Sequence, residues 1–113
     1  MALEISSTVH GSVAVIELSG ELDAGVAQRL RDETVAMAGH DGVRTVVFDM
    51  SELTFMASAG LRVLVFAKQK LGQGVELVIA GAQPAVAETI ELTGFHHSVD
   101  MVETYDLDAL GNA

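Results

Sequence analysis

Cysteine and tryptophan are absent from this 113-residue sequence, and aromatic residues make up only 4% of it. The lack of cysteine excludes disulfide scaffolds, cysteine-ligated zinc, iron–sulfur clusters and thiol catalysis. Because aromatics are scarce, the core must be built from aliphatic side chains and methionine. Hydrophobic residues still account for 50% of the chain. This composition excludes intrinsic disorder and predicts one compact domain over residues 1–113.

Basic residues are also few: 6 Lys and Arg stand against 16 Asp and Glu, a formal net charge of −10. Binding to DNA or RNA requires a surplus of basic side chains, so we expect no nucleic-acid partner. All the bases lie between Arg29 and Lys70. The acidic C-terminal part favours a basic partner and disfavours anionic lipid. A surface kept acidic only for solubility is an equally good interpretation.

Long hydrophobic runs are missing as well. No stretch approaches the ~18–20 apolar residues that a membrane span requires. The N-terminal residues Met1 to Glu4 show neither the basic region nor the apolar segment of a secretory signal. Together with the lack of cysteine, this predicts a cytoplasmic protein that does not associate with membranes.

The sequence does contain β-branched runs that alternate with helical patterns. Strands are expected near residues 3–9 and at 13–18, 45–49, 76–80 and 99–102. Helices are expected from Asp23 to about Ala38, from about Ala59 to Leu71, from Pro84 to the stop at Gly94, and from near Asp106. This alternation predicts an α/β fold with a mixed, mostly parallel sheet in the order ββαβαβαβα, whose first two strands form a hairpin.

The stretch from residue 49 to residue 64 is the most informative, because a buried strand leads there through a connection into a helix. Ser58 is predicted at the N-cap or in the first turn, at the carboxyl end of the parallel strands, where open α/β sheets carry functional sites. Its small neighbours Ala57, Ala59 and Gly60 leave the hydroxyl open. The simplest alternative is that Ser58 only caps the helix, which contributes about 1 kcal/mol.

Catalytic and metal-binding interpretations fail on spacing. A nucleophile elbow requires glycine two residues before the serine, where Met56 stands, and no phosphate-binding loop pattern occurs. His96 and His97 are adjacent, so in an extended segment they point to opposite faces and cannot share an ion. Glu21 and Asp23 are most simply turn and capping residues. We therefore expect no enzymatic activity and no metal.

Four segments occur in a recognisable order and spacing: Leu18–Asp23, Asp49–Leu64, Pro84 and Leu92–Phe95. Over nearly the whole chain they resemble the STAS domains of bacterial anti-sigma-factor antagonists, which implies a single STAS-like domain. In that family an Asp-Ser-Ser/Thr-Gly-Leu segment opens the second helix. Its first serine is phosphorylated by a partner that is both serine kinase and anti-sigma factor. Ser58 falls on that serine, whereas Ala57 replaces the aspartate and Ala59 the second hydroxyl residue.

The resemblance implies an anti-sigma-factor antagonist that acts by partner switching and has no catalytic activity. The unmodified chain would bind the anti-sigma factor/serine kinase, and phosphorylation of Ser58 would release it. The partner kinase would bind ATP and Mg²⁺, so this chain would hold no cofactor, and a phosphatase is implied as a further partner. The expected contact residues are Ser58 and its neighbours Glu21, Asp23, Met56, Ala57, Ala59, Gly60 and Arg62.

Two other functions stay open. The domain is alternatively a constitutive assembly subunit of a transporter or signalling complex, in which Ser58 is merely a cap and Ala57 marks a lost phosphorylation site. It is otherwise a binding module for a small nucleotide or lipid at the rim of the strands, although the sequence contains no pocket signature for such a ligand.

Overall fold

The computed structural model describes residues 3–71, 74–107 and 110. Its strands are β1 (Glu4–His10), β2 (Val13–Leu22), β3 (Thr45–Met56), β4 (Glu76–Ala80) and β5 (Asp100–Val102). Its helices are α1 (Ala27–Ala38), α2 (Ser58–Leu71) and α3 (Pro84–Leu92), and a short 3-10 helix follows at Phe95–His97. None of the helices in the described ranges is both long and apolar enough to cross a bilayer.

The five strands form one sheet in the order β1-β2-β3-β4-β5. β1 pairs with β2 in antiparallel fashion, and every other pair is parallel. Gly11 makes the tight turn of the opening hairpin with a φ of 61°, a conformation that costs glycine little. The mixed, mostly parallel sheet predicted from the sequence is confirmed.

The helices α1, α2 and α3 pack on one face of this sheet. Leu30 of α1, Leu64 of α2 and Ile90 of α3 are fully buried in one core with Phe48 of β3. The alternation of strands and helices does not by itself decide whether helices cover one face of the sheet or both. On the opposite face a smaller apolar cluster, which includes Val47, is covered by Tyr105, Leu107 and Leu110.

The last expected helix begins near Asp106. Leu107 and Leu110 are helical, and the Leu110 N–H donates to the Asp106 carbonyl at 3.0 Å. The rest of that predicted helix lies outside the described residues.

β2 and β3 are longer than the sequence predicts, because they continue to Leu22 and Met56 rather than ending at residues 18 and 49. The pairing register between the two strands shifts twice along the added stretch. Each irregularity disturbs the two-residue alternation of a regular strand. The buried residues of this half of β3 are therefore Met50, Leu53 and Met56, three positions apart. Because a regular strand buries every second residue, this spacing does not indicate a strand in the sequence.

The prediction that Asp23 caps α1 is wrong, because that helix begins at Ala27 and its N-cap is Val26. The Asp23 carboxylate instead accepts the N–H of Gly25 at 2.9 Å, and its carbonyl accepts the N–H of Val26 at 3.3 Å. Asp23 thus closes a turn between β2 and α1.

The elements after α2 follow the prediction closely. β4 and α3 have the predicted bounds, with Pro84 in the first helical position. Gly94 follows α3 with a φ of 79°, as expected for a glycine that stops a helix. β5 is one residue shorter than predicted, since it begins at Asp100.

Candidate functional site

The candidate site lies where β2 and β3 end side by side. Leu22 and Met56, the last residues of the two strands, are paired in parallel register, and both are buried. The N–H of Ala57 donates to the Leu22 carbonyl at 2.9 Å. This bond extends the pairing by one residue, and the chain then turns directly into α2. Ser58 therefore lies at the carboxyl rim of the sheet, as predicted.

Gly60 lets the first turn of α2 approach the end of β2. A Cβ atom at position 60 would lie 2.6 Å from Leu22 Cγ and 2.7 Å from Leu22 Cδ2. Real Cβ atoms do not approach other carbons so closely, and Leu22 is fully buried and cannot easily move aside. The glycine thus fixes the helix start, and with it the position of Ser58.

Ser58 is the first residue of α2 and not its cap. The Ala57 carbonyl accepts the N–H groups of Gly60 and Leu61, at 2.9 and 3.2 Å, so Ala57 occupies the N-cap position. The Ser58 side chain is exposed. Within the described part of the chain, its hydroxyl has no hydrogen-bond partner. The first-turn position predicted for Ser58 is confirmed, and the alternative in which the hydroxyl caps the helix is not.

The expected contact residues fall into two groups. Asp23, Ser58 and Arg62 are exposed, and Glu21, Ala57 and Ala59 are half-buried. Met56 is only 4% exposed, and Gly60 is also buried. Both lie beneath the surface and pack at the start of α2, and the partner contact expected of them stays a prediction.

Glu21 belongs to β2 and not to a turn, and it is paired in register with Phe55 of β3. Phe55 is 47% exposed, a large apolar surface beside the start of α2 that sequence reasoning missed. The signal available was its position between polar Thr54 and the buried Met56. A strand assignment through Met56 would have turned Phe55 outward.

The surroundings of Ser58 favour an anion. The first turn of α2 contains no acidic residue, so the positive end of the helix dipole is not offset by a neighbouring carboxylate. Arg62 follows Ser58 by four residues, which places both side chains on the same face of the helix. A negative group on the Ser58 oxygen would therefore meet the helix N-terminus and a guanidinium.

Asp49, the first residue of the informative stretch, serves the other face of the sheet. Its Oδ1 accepts the Ser51 N–H at 3.1 Å and the Ser51 hydroxyl at 2.7 Å, and its Oδ2 accepts the Tyr105 hydroxyl at 3.1 Å. Burial, and secondarily this hydrogen bond and the nearby carboxylates, raise the pKa of Tyr105 to about 12. The pair ties the C-terminal segment to the sheet.

The two adjacent histidines form part of the 3-10 helix Phe95–His97, not of an extended segment. The rings of His96 and His97 lie 3.9 Å apart, centroid to centroid, with planes tilted by 39°. Within the described ranges, no group of three or more His, Asp or Glu side chains is arranged to hold a metal ion.

This combination of a mixed five-stranded sheet, helices on one face and an exposed serine opening the second helix defines a recognisable class. A sequence profile of the STAS domain matches residues 4–107, and the chain belongs to the STAS domain family. The expected family and fold are thereby confirmed.

Individual relatives can be named. The anti-sigma-F factor antagonist RsfB of Mycobacterium tuberculosis is 26% identical over 103 residues, which cover 91% of this chain and 84% of RsfB. The putative anti-sigma factor antagonist BtrV of Bordetella bronchiseptica is 37% identical over 79 residues, which cover 69% of this chain and 67% of BtrV.

Solved structures agree with the sequence relatives. An anti-sigma factor antagonist from Mycobacterium paratuberculosis superposes with a TM-score of 0.86 at 30% identity, over 98% of this chain and 93% of its own. The phosphorylated form of the Bacillus cell fate determinant SpoIIAA shares the fold, with a TM-score of 0.71 at 19% identity and coverage of 98% of both chains.

Proposed function

We propose that this chain is an anti-sigma-factor antagonist that acts by partner switching, with Ser58 as its phosphorylation site. The observation that carries the proposal is the exposed Ser58 hydroxyl, which has no hydrogen-bond partner within the described residues. It sits on a helix start that Gly60 and Leu22 hold firmly in place. A modifying enzyme therefore meets a free nucleophile at a fixed position, and no native contact must break first.

The relatives support the same function. RsfB is named an anti-sigma-F factor antagonist and BtrV a putative anti-sigma factor antagonist, and the similarity to RsfB covers most of both chains. The partner inferred for this chain is accordingly an anti-sigma factor. We further infer that this anti-sigma factor is also the serine kinase that modifies Ser58, and that a phosphatase reverses the modification.

A phosphate on Ser58 would be tolerated by the domain itself. Phosphorylation adds a charge of about −1.5 to −2 at neutral pH. At the first residue of α2 this charge meets unpaired helix N–H groups and the positive end of the dipole. Arg62 offers a second favourable contact one turn further on. The fold should therefore change little on modification.

A partner that covers the same surface would not tolerate the phosphate. The dianion is strongly solvated, and Arg62 can match only one of its charges, so burying the remaining charge under a partner costs several kcal/mol. Since about 1.4 kcal/mol corresponds to a tenfold change in affinity, the loss is on the order of a hundredfold or more. Unmodified chain binds and phosphorylated chain is released.

In this function the chain itself catalyses no reaction. ATP and Mg²⁺ are bound by the partner kinase, and the domain serves as its substrate and as its ligand. We infer that the chain acts in the cytoplasm together with the anti-sigma factor, and that it contributes a docking surface rather than a catalytic group.

The direct test is phosphorylation of the purified chain by the anti-sigma factor kinases encoded in the same genome, with ATP and Mg²⁺, followed by peptide mass spectrometry. We expect a single phosphate on Ser58. The variant Ser58→Ala should accept none, whereas Ser98→Ala, which removes an exposed serine elsewhere, should be modified like the parent. A kinase that binds the chain normally but leaves Ser58 unmodified would favour a constitutive assembly subunit.

A further inference from the structure

A groove opens between α1 and α2 on the surface next to Ser58. Its volume is about 160 Å³, and its apolar floor includes Ala27, Ala59, Val63 and Phe66. Ala59 is the residue directly after Ser58, so the groove begins at the candidate site. It then continues along α2, away from the sheet rim and past the residues expected to contact a partner.

The charged residues that line this groove are both arginines, Arg31 of α1 and Arg62 of α2, and no acid lines it. The guanidinium carbon of Arg31 lies 3.9 Å from the ring centroid of Phe66. Stacking of this kind holds the planar guanidinium against the wall of the groove, while its N–H edges remain available for hydrogen bonds. The groove thus presents a positioned cation above an apolar surface.

The two arginines of the groove stand out against the negative charge of the chain as a whole. The chain has a net charge of −10 and only 6 basic residues, and two of them face this one groove. The general field repels anions, but at physiological ionic strength it is screened within about 8 Å. For a carboxylate inside the groove, the attraction by the two arginines at contact distance therefore outweighs the screened repulsion by the net negative charge. The groove is complementary to an acidic group and not to a basic one.

We propose that the α1–α2 groove docks an acidic segment of the protein partner. Carboxylates of that segment pair with Arg31 and Arg62, a geometry that suits the fork of a guanidinium. An apolar side chain of the same segment rests on Val63 and Phe66. The identity of the partner as an anti-sigma factor rests on the proposed function, whereas the chemistry of the groove does not.

The position of Arg62 connects this groove to the switch. The arginine lies one helical turn after Ser58, so a phosphate on Ser58 would pair with the guanidinium that the partner's carboxylate otherwise uses. Phosphorylation would then weaken binding in two ways, through the buried dianion and through competition for Arg62.

The first test measures the affinity of the full-length, unphosphorylated chain for its anti-sigma factor by calorimetry. Arg31→Gln and Arg62→Gln should each weaken binding about tenfold, because each leaves a partner carboxylate unpaired in the interface. Arg44→Gln removes an exposed arginine outside the groove and should bind like the parent. Thermal unfolding of all three variants verifies that they are folded. If both groove variants bind the anti-sigma factor as tightly as the parent chain, the groove does not dock an acidic segment. The proposed function as an anti-sigma-factor antagonist would be unaffected by that result.

The second test needs no partner. The arginine Nε–H signals of the labelled chain are followed by NMR during titration with the peptide acetyl-Leu-Glu-Glu-Leu-amide, and with its Gln-Gln analogue as control. We expect the acidic peptide to shift the signals of Arg31 and Arg62 and not that of Arg44, and the Gln-Gln peptide to shift none. Equal responses to the two peptides, or no response at Arg31 and Arg62, would contradict an acid-binding groove even if an anti-sigma factor binds elsewhere.

Discussion

Gly60 packs against Leu22 so closely that a methyl group at position 60 would lie 2.6 Å from Leu22 Cγ. This contact joins the start of α2 to the end of β2, two elements that are distant in sequence. The contact holds the first turn of α2, and with it Ser58, in one position relative to the sheet. The stability of the domain and the accessibility of its candidate modification site thus depend on the same contact.

Gly60→Ala should destabilise the domain. Overpacking of a buried contact typically costs about 1–3 kcal/mol, which exceeds the gain of about 1 kcal/mol in helix propensity from glycine to alanine. Urea unfolding measures the free energy directly. Gly74→Ala is the matched control, because a Cβ at Gly74 meets nothing within 4 Å, and it should be neutral or slightly stabilising. Equal stability of the two variants would show that the approach of α2 to β2 is not constrained.

Ser58→Ala should leave the free energy of unfolding within about 0.5 kcal/mol of the parent, as for surface substitutions in general. The reason is that the Ser58 hydroxyl caps no backbone group. Thr34→Ala provides the contrast, since the buried Thr34 hydroxyl donates to the Leu30 carbonyl at 2.8 Å, and this variant should be clearly less stable. A loss of about 1 kcal/mol in Ser58→Ala is the value expected of a helix cap and would contradict the assignment of Ala57 as N-cap.

Phosphoserine incorporated genetically at position 58 should report the local positive potential. The helix dipole and Arg62 favour the dianion, so the second pKa of the phosphate should lie below its usual value of about 6. Phosphorus NMR titration measures this pKa. Arg62→Gln should raise it towards the usual value, and Arg44→Gln should not. An identical pKa in all three proteins would mean that Arg62 does not contact the phosphate.

The lowered phosphate pKa has a consequence for stability. A group whose pKa is depressed in the folded state contributes stability above its unfolded pKa and loses it as the pH falls through its folded pKa. The free energy of unfolding of the phosphorylated chain, relative to that of the unmodified chain, should therefore decrease as the pH drops below about 6. Urea unfolding at pH 8 and at pH 5 measures the difference in free energy of unfolding between the modified and unmodified chains. A difference that does not vary with pH would contradict the expected interaction.

Tyr105 provides an independent test of the other face of the sheet. Its pKa, raised to about 12, means that folding favours the neutral phenol. Its stabilising contribution is complete below the unfolded pKa of about 10 and is lost as the pH rises towards the folded value. Tyr105 is the single tyrosine in a chain without tryptophan, so its ionisation can be followed by absorbance without interference. Titration near pH 10 in the folded protein would contradict both the burial of Tyr105 and its contact with Asp49.

Sequence patterns predicted those parts of the fold that are bounded by strong local signals. β4 and α3 were located correctly because glycine and proline flank them, and Ser58 stood out because small residues surround it. The second half of β3 was missed because its irregular pairing with β2 spaces the buried Met50, Leu53 and Met56 three apart. No local pattern encodes that spacing.

The features missed at the site depend on contacts between distant elements. Arg31 and Phe66 lie 35 positions apart in the sequence, and only the packing of α1 against α2 brings them together. The same holds for Gly60, whose role follows from Leu22 and not from its neighbours. Asp23 was misassigned because a carboxylate that closes a turn and one that caps a helix have the same local sequence signature.

Release by phosphorylation is measured by the affinity of one anti-sigma factor for two forms of this chain, unmodified and carrying phosphoserine at position 58. Calorimetry at fixed salt and pH measures both dissociation constants. We expect the phosphorylated chain to bind at least about a hundredfold more weakly, with circular dichroism showing the same fold in both forms. Equal affinity of the two forms would mean that phosphorylation of Ser58 does not release the partner.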